Sequence, residues 1–587
     1  MANLPGISTD SALSRLFEDE RAQGEATWFS LPGGATLFDA GEPADHLYFV
    51  RAGRLGAFRR EEGHEPHFLG VIRPGEPAGE MSLISGAPHS GHVVALRDSE
   101  IFALPREAFF DACEEDSTVM VELARLMILR SRQAAAKTTA GVPSVFGFVT
   151  IGEPVALRPQ VDRIAREIGK LGYSVTVVGG EAQHAPTEWF SEVERDYDFV
   201  LYCAEADDHG WRQVVGRQVD RLFRVGRGDL PPPVELLHGA EPLQTQKLVD
   251  LILIQKRNAV APVGSEAWMD VARPARLFHM RREHGGDVAR VARMLTGQAV
   301  GLVLSGGGAR AYAHIGAVKA LRERKVPIDF VGGVSMGAIV AAGVGLGWDN
   351  DEMERRIRAA FVNTSPLDDI AIPLLAMTRG EKVSDRLAEH FGEVHIADMW
   401  LPFFCLSSNL TTGTYHLHRR GLLRRALRAT ISLPGILPPA TEDNDVLVDG
   451  AVMKNFPADV MRINELGPII GIDVSRGRSI TAADVARPSS VWRWILSGEW
   501  RKGPPIVSLL MRAATVSTGR DLAAARDATD VLVTPEVAGV EIRDWAAFEP
   551  AVAGGYKAMI EALDKLSVPV TDLRRRPSLH EISTGRR

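Results

Sequence analysis

The chain has 587 residues, more than one hydrophobic core supports, and 45% of them are apolar, enough to bury several cores. A formal net charge of −8 argues against general nucleic-acid binding. Cys113, Cys203 and Cys405 are too few and too scattered for a disulfide framework or a zinc site, and suit a reducing cytoplasm. No charged-then-apolar stretch at the N-terminus reads as a secretory leader.

From Phe29 to Leu104, alternating runs such as His46 to Val50 and Leu55 to Phe58 are punctuated by Gly33, Gly34, Gly41, Gly53, Gly63, Gly75 and Gly79. Short strands with glycine turns predict an all-β barrel or roll. Pro105 to Arg130 reads as one helix, with Phe109, Phe110, Val119, Val121, Leu123 and Leu126 on its apolar side. No helix-turn-helix pattern comes after the roll. Through Val50-Arg51-Ala52-Gly53 and Gly79-Glu80-Met81-Ser82-Leu83, this region resembles a cyclic-nucleotide-binding domain, the β-roll also found in catabolite-activator-type regulators. The resemblance implies a cyclic nucleotide effector, with Glu80 on the ribose hydroxyl and Ser82 and Ser90 near the cyclic phosphate. The family's phosphate-binding arginine falls at His89 here. An imidazole in place of a permanent bidentate cation weakens phosphate binding.

Ser144 to Asp270 alternates strand and helix signals, with strands at Val145 to Ile151, Ser174 to Val178, Phe199 to Cys203 and Val234 to Leu237, and an amphipathic helix from Val161 to Leu171. That alternation predicts a small α/β unit with a parallel sheet. It contains no nucleophile or metal constellation. It is expected to connect the roll to the C-terminal part of the chain and to pack with that part.

Val300 to Leu304 reads as a buried strand running into Ser305-Gly306-Gly307-Gly308-Ala309-Arg310, before a helical pattern from Ala313 to Leu321. A second apolar run (Ile328, Phe330, Val331) enters Gly333-Val334-Ser335-Met336-Gly337, and small residues from Ala338 to Ala342 leave it. Small neighbours let the backbone bend sharply and present a serine hydroxyl at the top of a sheet. Gly-rich turns entering helices expose unpaired N–H groups that suit an oxyanion or a phosphate. Val446 to Val448 is a third apolar strand, ending in Asp449-Gly450-Ala451, so a carboxylate is expected at the same kind of strand end. Gly306-x-Gly308-x-x-Ala311 also fits a dinucleotide fingerprint with Asp329 as its acid, but Asp329 precedes its strand instead of ending it. Phe330 to Trp348 is long enough to suggest a membrane span, but its six glycines and the serine turn within it read as buried sheet and helix.

These residues resemble the patatin-like phospholipases, specifically the bacterial relatives of neuropathy target esterase, over Ala299 to Leu563. The carrying motifs are Gly-Gly-Gly-x-Arg at 306–310, Ala313-His314-Ile315-Gly316, Gly333-x-Ser335-x-Gly337, the Pro-rich segment 429–439 and Asp449-Gly450-Ala451. The resemblance implies a three-layer α/β/α sandwich and a Ser–Asp dyad. Ser335 is then the nucleophile, Asp449 its proton acceptor, and the amides of Gly307, Gly308 and Ala309 the oxyanion hole. Where the family usually has glycine after the arginine, this chain has Ala311. The implied reaction is acyl-ester hydrolysis of phospholipids or lysophospholipids at a transiently visited membrane surface, with no metal and no required cofactor.

A carboxylate is a feeble base near its ordinary pKa, and burial raises it towards the useful range. His314, a turn into its helix, reads as a packing histidine, and His416 and His418 have no acid at matching spacing. Arg419, Arg420, Arg424, Arg425 and Arg428 form either a solvated face or a contact for lipid phosphates. Ile370 to Met377, and Val491 to Trp500 with its three tryptophans, read as lid or core.

The expected organisation is therefore multidomain. Residues 1–140 form the β-roll with its helix, 141–298 the connecting α/β domain, 299–570 the hydrolase, and 571–587 a disordered tail. The leading reading is a cytoplasmic esterase, peripheral at the inner membrane surface and regulated by its N-terminal domain. Its rival is a catalytically weak nucleotide- or partner-sensing scaffold on the same fold. The oligomeric state is open.

Overall fold

The computed structural model describes residues 24, 26–59, 67–135, 143–234, 249–363, 369, 371, 376–464, 467–475, 519–537, 539–541 and 544–584. The chain divides into two compact units, one formed by residues 1–252, 274–276 and 577–587, the other by 253–273 and 277–576.

In the first unit, two four-stranded antiparallel sheets make the roll. One runs Thr27–Leu31, Ser99–Pro105, His46–Ala52, Pro77–Ala78, and the other Thr36–Phe38, His92–Ala95, Leu55–Arg59, His67–Ile72. Leu31, Phe38, Val50, Leu55, Ile72, Val93 and Ile101 form one core cluster. Gly53 turns with φ 89°, and a Cβ there would stand 2.4 Å from the carbonyl oxygen of Asp98, so only glycine fits. The single helix expected after the roll is two, Arg106–Glu115 and Ser117–Ala135. Asp116 breaks it with an extended backbone, and its carboxylate accepts from the Thr118 amide at 3.0 Å.

In the same unit Val175–Val178, Phe199–Ala204, Val145–Thr150 and Arg221–Arg227 lie parallel in that order, four strands of a six-stranded sheet. Its fourth strand is not the expected Val234 to Leu237. Val234 is 98% exposed, residues 235–237 lie outside the described residues, and the apolar alternation of Arg221–Arg227 forms the strand instead. The sheet packs with the roll: the fully buried guanidinium of Arg97 bonds both Glu194 and Asp220, and Arg54 reaches Asp220 at 3.1 Å. Burial works against the Asp220 charge, but Arg97 and Arg54 hold it well below the ordinary carboxylate range. The connecting segment therefore divides, its first part clustering with the roll and the residues from Leu253 mostly with the second unit. The expected disordered tail is also corrected. A 3-10 turn spans Val570–Asp572, a helix spans Leu579–Thr584, and the Leu579 amide donates to Asp198 at 2.6 Å.

The second unit is built on an eight-stranded sheet. Phe403–Asn409, Phe330–Val334, Gly301–Leu304, Ile469–Ile472 and Val531–Val533 run parallel in that order. Thr414–His418, Asp445–Asp449 and Ala440–Glu442 form an antiparallel edge. Helices Tyr312–Glu323, Met336–Gly345 and Phe548–Asp564 contribute to its core cluster. The first and last of these touch backbone to backbone: a Cβ on Gly316 would fall 1.9 Å from the Val552 oxygen, and one on Gly555 would fall 1.8 Å from the Ala313 oxygen. Phe330–Val334 and Met336–Gly345 are buried throughout, as expected for sheet and helix. Among the described residues no helix is long and apolar enough to cross a membrane.

Candidate active site

Ser335 sits between strand Phe330–Val334 and helix Met336–Gly345 with φ 54° and ψ −132°, a conformation that costs a non-glycine residue about 1–3 kcal/mol. The glycines on either side make the bend possible. A Cβ on Gly333 would meet the Gly337 carbonyl carbon at 2.8 Å, and one on Gly337 would meet the Ser305 oxygen at 2.4 Å.

The ladder registers explain how Asp449 arrives. Gly333 and Val334 pair with Cys405 and Leu406, while Asp449 pairs with the next residue, Ser407. Because Cys405 to Asn409 pair on their other edge with Thr414 to His418, Phe330–Val334 and Asp445–Asp449 lie end to end along one edge of Phe403–Asn409. One strand runs parallel and the other antiparallel, so their tips meet head-on. Asp449 ends its strand, and that strand is antiparallel to Phe403–Asn409 and is placed by its hairpin with Ala440–Glu442.

At that junction the Ser335 hydroxyl donates to Asp449 Oδ2 at 2.7 Å. Asp449 Oδ1 accepts from the Ala451 amide at 2.8 Å, and the Asp449 amide donates to the Ser432 carbonyl at 2.8 Å. Asp449 is wholly buried. That burial pushes its carboxyl up to about 7, against the two hydrogen bonds that favour the charged form. A carboxylate of this basicity, bonded to a hydroxyl, can take the hydroxyl's proton near neutral pH.

Thr430, unmarked in the sequence within the Pro-rich segment, spans the gap between the two strand tips. Its hydroxyl accepts from the Ser335 amide at 3.0 Å and donates to the Leu406 carbonyl, filling in where the ladder ends.

The glycine loop lies against the serine. A Cβ on Gly306 would stand 3.1 Å from the Ser335 Cβ and 2.5 Å from Asn455 Oδ1. Asn455, also missed in the sequence, clasps Gly306 both ways: its side-chain amide donates to the Gly306 carbonyl at 3.2 Å, and its carbonyl accepts from the Gly306 amide at 3.3 Å. Nothing in the type or spacing of Asn455 distinguished it. The next residues open a 3-10 turn, Gly308–Ala311, whose first amides have no partner within the turn. Those of Gly307, Gly308 and Ala309 make no hydrogen bond among the described residues. Ala311 has helical φ −66° and ψ −11°, so its methyl group is accommodated and glycine is not required.

His314 is a packing residue, as expected. Its Nε2–H donates to the Ser305 carbonyl at 2.8 Å, and burial pushes its pKa down to about 4, leaving it neutral. Asp329 takes up Arg293 and the Val300 amide ahead of the strands, at the end away from the glycine loop, which excludes the dinucleotide reading. His418 bonds the Ser407 hydroxyl at 2.8 Å.

Of the arginine cluster, Arg420 pairs with Glu266 and Asp270, Arg424 pairs with Glu393, and Arg428 turns to Ser432 and Pro438. The guanidinium groups of these three are engaged by protein partners. Of the two lid candidates, most of 370–377 and all of 491–500 lie outside the described residues.

In the roll, Gly79 (φ 85°) precedes the short helix Glu80–Ser85, in which Glu80, Ser82 and Leu83 are buried. His89 is buried and stacked on Phe38, with ring centroids 3.7 Å apart, and burial lowers its pKa. Ser90, expected beside a phosphate, is exposed.

Fold and site together define a lipid ester hydrolase: residues 302–462 match the patatin-like phospholipase family, and residues 28–116 match the cyclic nucleotide-binding domain. The chain belongs to the NTE family, being 31% identical over 568 residues to an uncharacterised NTE family protein of Mycobacterium tuberculosis, a match covering 93% of this chain and 94% of that one. It is 29% identical over 549 residues to a lysophospholipase of Cryptococcus neoformans, covering 80% of this chain and 34% of that longer protein. The catabolite activator protein of Thermus thermophilus is a similar solved structure, at 26% identity and a TM-score of 0.20, covering 27% of this chain and 70% of that one.

Proposed function

We propose that this chain is a serine acyl-ester hydrolase of phospholipids or lysophospholipids, with Ser335 as nucleophile and Asp449 as the base. The 2.7 Å hydrogen bond between two buried side chains, one of them a carboxyl raised to about 7, carries the reading. Ser335 Oγ attacks the ester carbonyl carbon as its proton passes to Asp449. The negative oxygen of the tetrahedral intermediate is met by the amides of Gly307, Gly308 and Ala309. Collapse breaks the carbon–oxygen bond to the glycerol moiety, which leaves with the proton from Asp449. Water, deprotonated by the same carboxylate, then attacks the acyl-serine ester; the bond to Ser335 Oγ breaks as Asp449 returns the proton to that oxygen, and the fatty acid is released. The chain's own residues supply every step.

Membrane contact is transient in this reading, as a phospholipid substrate requires, and the enzyme works from the cytoplasm at the inner membrane surface. The N-terminal roll acts as a regulator. The stacked His89 at the phosphate position, its pKa lowered by burial, favours an effector interaction weaker than the arginine-based one. The scaffold reading has no observation in its favour, since hydroxyl, carboxylate and unpaired amides are all present.

The test is turnover of lysophosphatidylcholine and of short-chain nitrophenyl esters by the purified full chain. Ser335→Ala and Asp449→Asn should each abolish it to within about a thousandth of the starting rate, because members of one catalytic unit fail together. Full activity in Asp449→Asn would remove the dyad.

A further inference from the structure

The sequence showed no acid to match His416 and His418, but the fold supplies one from another strand. His416 and His418 are two apart on strand Thr414–His418 and so share a face, and Glu442 ends strand Ala440–Glu442. Their nearest ligand atoms, one from each, all lie within 4.8 Å of one another. His416 Nε2 and His418 Nδ1 each stand 3.8 Å from the same atom, Glu442 Oε2. That is too long for a hydrogen bond and close to the separation, about 3.4 Å, that ligand atoms take around a tetrahedral ion at ordinary bond lengths.

The surroundings of His418 point the same way. Its other nitrogen, Nε2, faces the Ser407 hydroxyl at 2.8 Å. If Nε2 carries the proton and donates it there, the Nδ1 lone pair is directed at Glu442, the arrangement by which a second partner fixes a metal-binding histidine. His418 is buried, His416 is partly buried and Glu442 is 55% exposed, so an ion has a route in from solvent.

We infer that His416, His418 and Glu442 form a binding site for a divalent transition ion of the zinc class, clipping two edge strands together. Two imidazoles and one carboxylate suit zinc, cobalt or nickel, and disfavour magnesium and calcium, which take oxygen ligands. Three protein ligands leave one tetrahedral position for water. Ser407 stands between this site and the proposed base, pairing with His416 on one edge and Asp449 on the other.

The experiment is calorimetric titration of the metal-stripped full chain with zinc chloride, with magnesium chloride as control and the visible spectrum of the cobalt-loaded protein as a second readout. One site of roughly micromolar affinity, with tetrahedral cobalt bands, is expected. His416→Ala and Glu442→Gln, both at solvent-accessible positions, should each weaken it by at least about tenfold, and Ser407→Ala by a comparable factor through His418. Absence of zinc binding at millimolar ion, or binding of equal strength in both His416→Ala and Glu442→Gln, would overturn the assignment. Neither readout depends on esterase activity, so failure here leaves the dyad untouched.

Discussion

Ser335 and Asp449, 114 residues apart in the chain, touch because two strands approach each other tip to tip along the same edge of Phe403–Asn409. Burial raises the Asp449 carboxyl against the opposing hydrogen bonds from Ser335 and the Ala451 amide, and burial wins.

The pH profile should show this. The base must be ionised to accept a proton, so kcat/KM is expected to rise about tenfold per pH unit below pH 7 and to level off above it, with one ionisation near 7. His314, neutral down to about 4, adds no limb near its ordinary value. A profile flat from pH 5 to 9 would contradict the assignment.

Stability should run the other way. A carboxyl raised from 3.8 to about 7 favours the folded state fully below its unfolded pKa, and that advantage is lost as pH rises through 7. Asp449→Asn removes the loss. Its melting temperature should match that of the parent near pH 4 and exceed it at pH 8, by the equivalent of a few kcal/mol at about 1.4 per pKa unit. Scanning calorimetry at the two values decides the matter.

Thr430→Val keeps the shape of the side chain but leaves the buried Ser335 amide without its acceptor, at a cost of about 1–3 kcal/mol. Turnover should fall about 10- to 100-fold with KM little changed, and Thr430→Ser should restore most of it. Full activity in Thr430→Val, with loss in Thr430→Ser, would mean that the methyl group, not the hydroxyl, matters.

Two glycine replacements should separate chemistry from folding. Gly337→Ala drives a methyl group into the backbone oxygens of Ser305 and Leu304 and should destabilise by about 3 kcal/mol or more. Gly306→Ala meets the movable Asn455 side chain and Ser335 itself, so the protein should fold and lose activity. Thermal melts and esterase assays on the pair would show the contrast.

For the roll, His89→Arg should create or strengthen binding of cyclic AMP, read as heat in calorimetry, because it returns a permanent cation to the phosphate position. Binding in the parent as tight as in the variant would show that a permanent cation at residue 89 does not limit affinity.

What could be read from the chain beforehand was local. The serine turn, the glycine loop and Asp449-Gly450-Ala451 are short stretches whose bends demand particular residues, and they could be located to within a residue or two. Thr430, Asn455 and Glu442 act through partners on other strands, and their own neighbours carry no trace of the pairing. The direction of Asp445–Asp449 was illegible for the same reason, since five apolar and acidic residues read alike in either orientation. The helix after the roll was misjudged because its apolar spacing continues across Asp116, where a side chain hydrogen-bonds its own backbone neighbourhood and interrupts it. The ordered tail depends on Asp198, nearly four hundred residues upstream.

The head-on strands also bear on synthesis. A ribosome releases the serine and its glycine cradle long before the hairpin that delivers the carboxylate, and until that hairpin zips onto Phe403–Asn409 the nascent chain has an alcohol with nothing to deprotonate it. On the proposed mechanism, a lipid-cleaving activity that could harm the cell's own bilayer stays silent in every unfinished or truncated copy that stops short of residue 449.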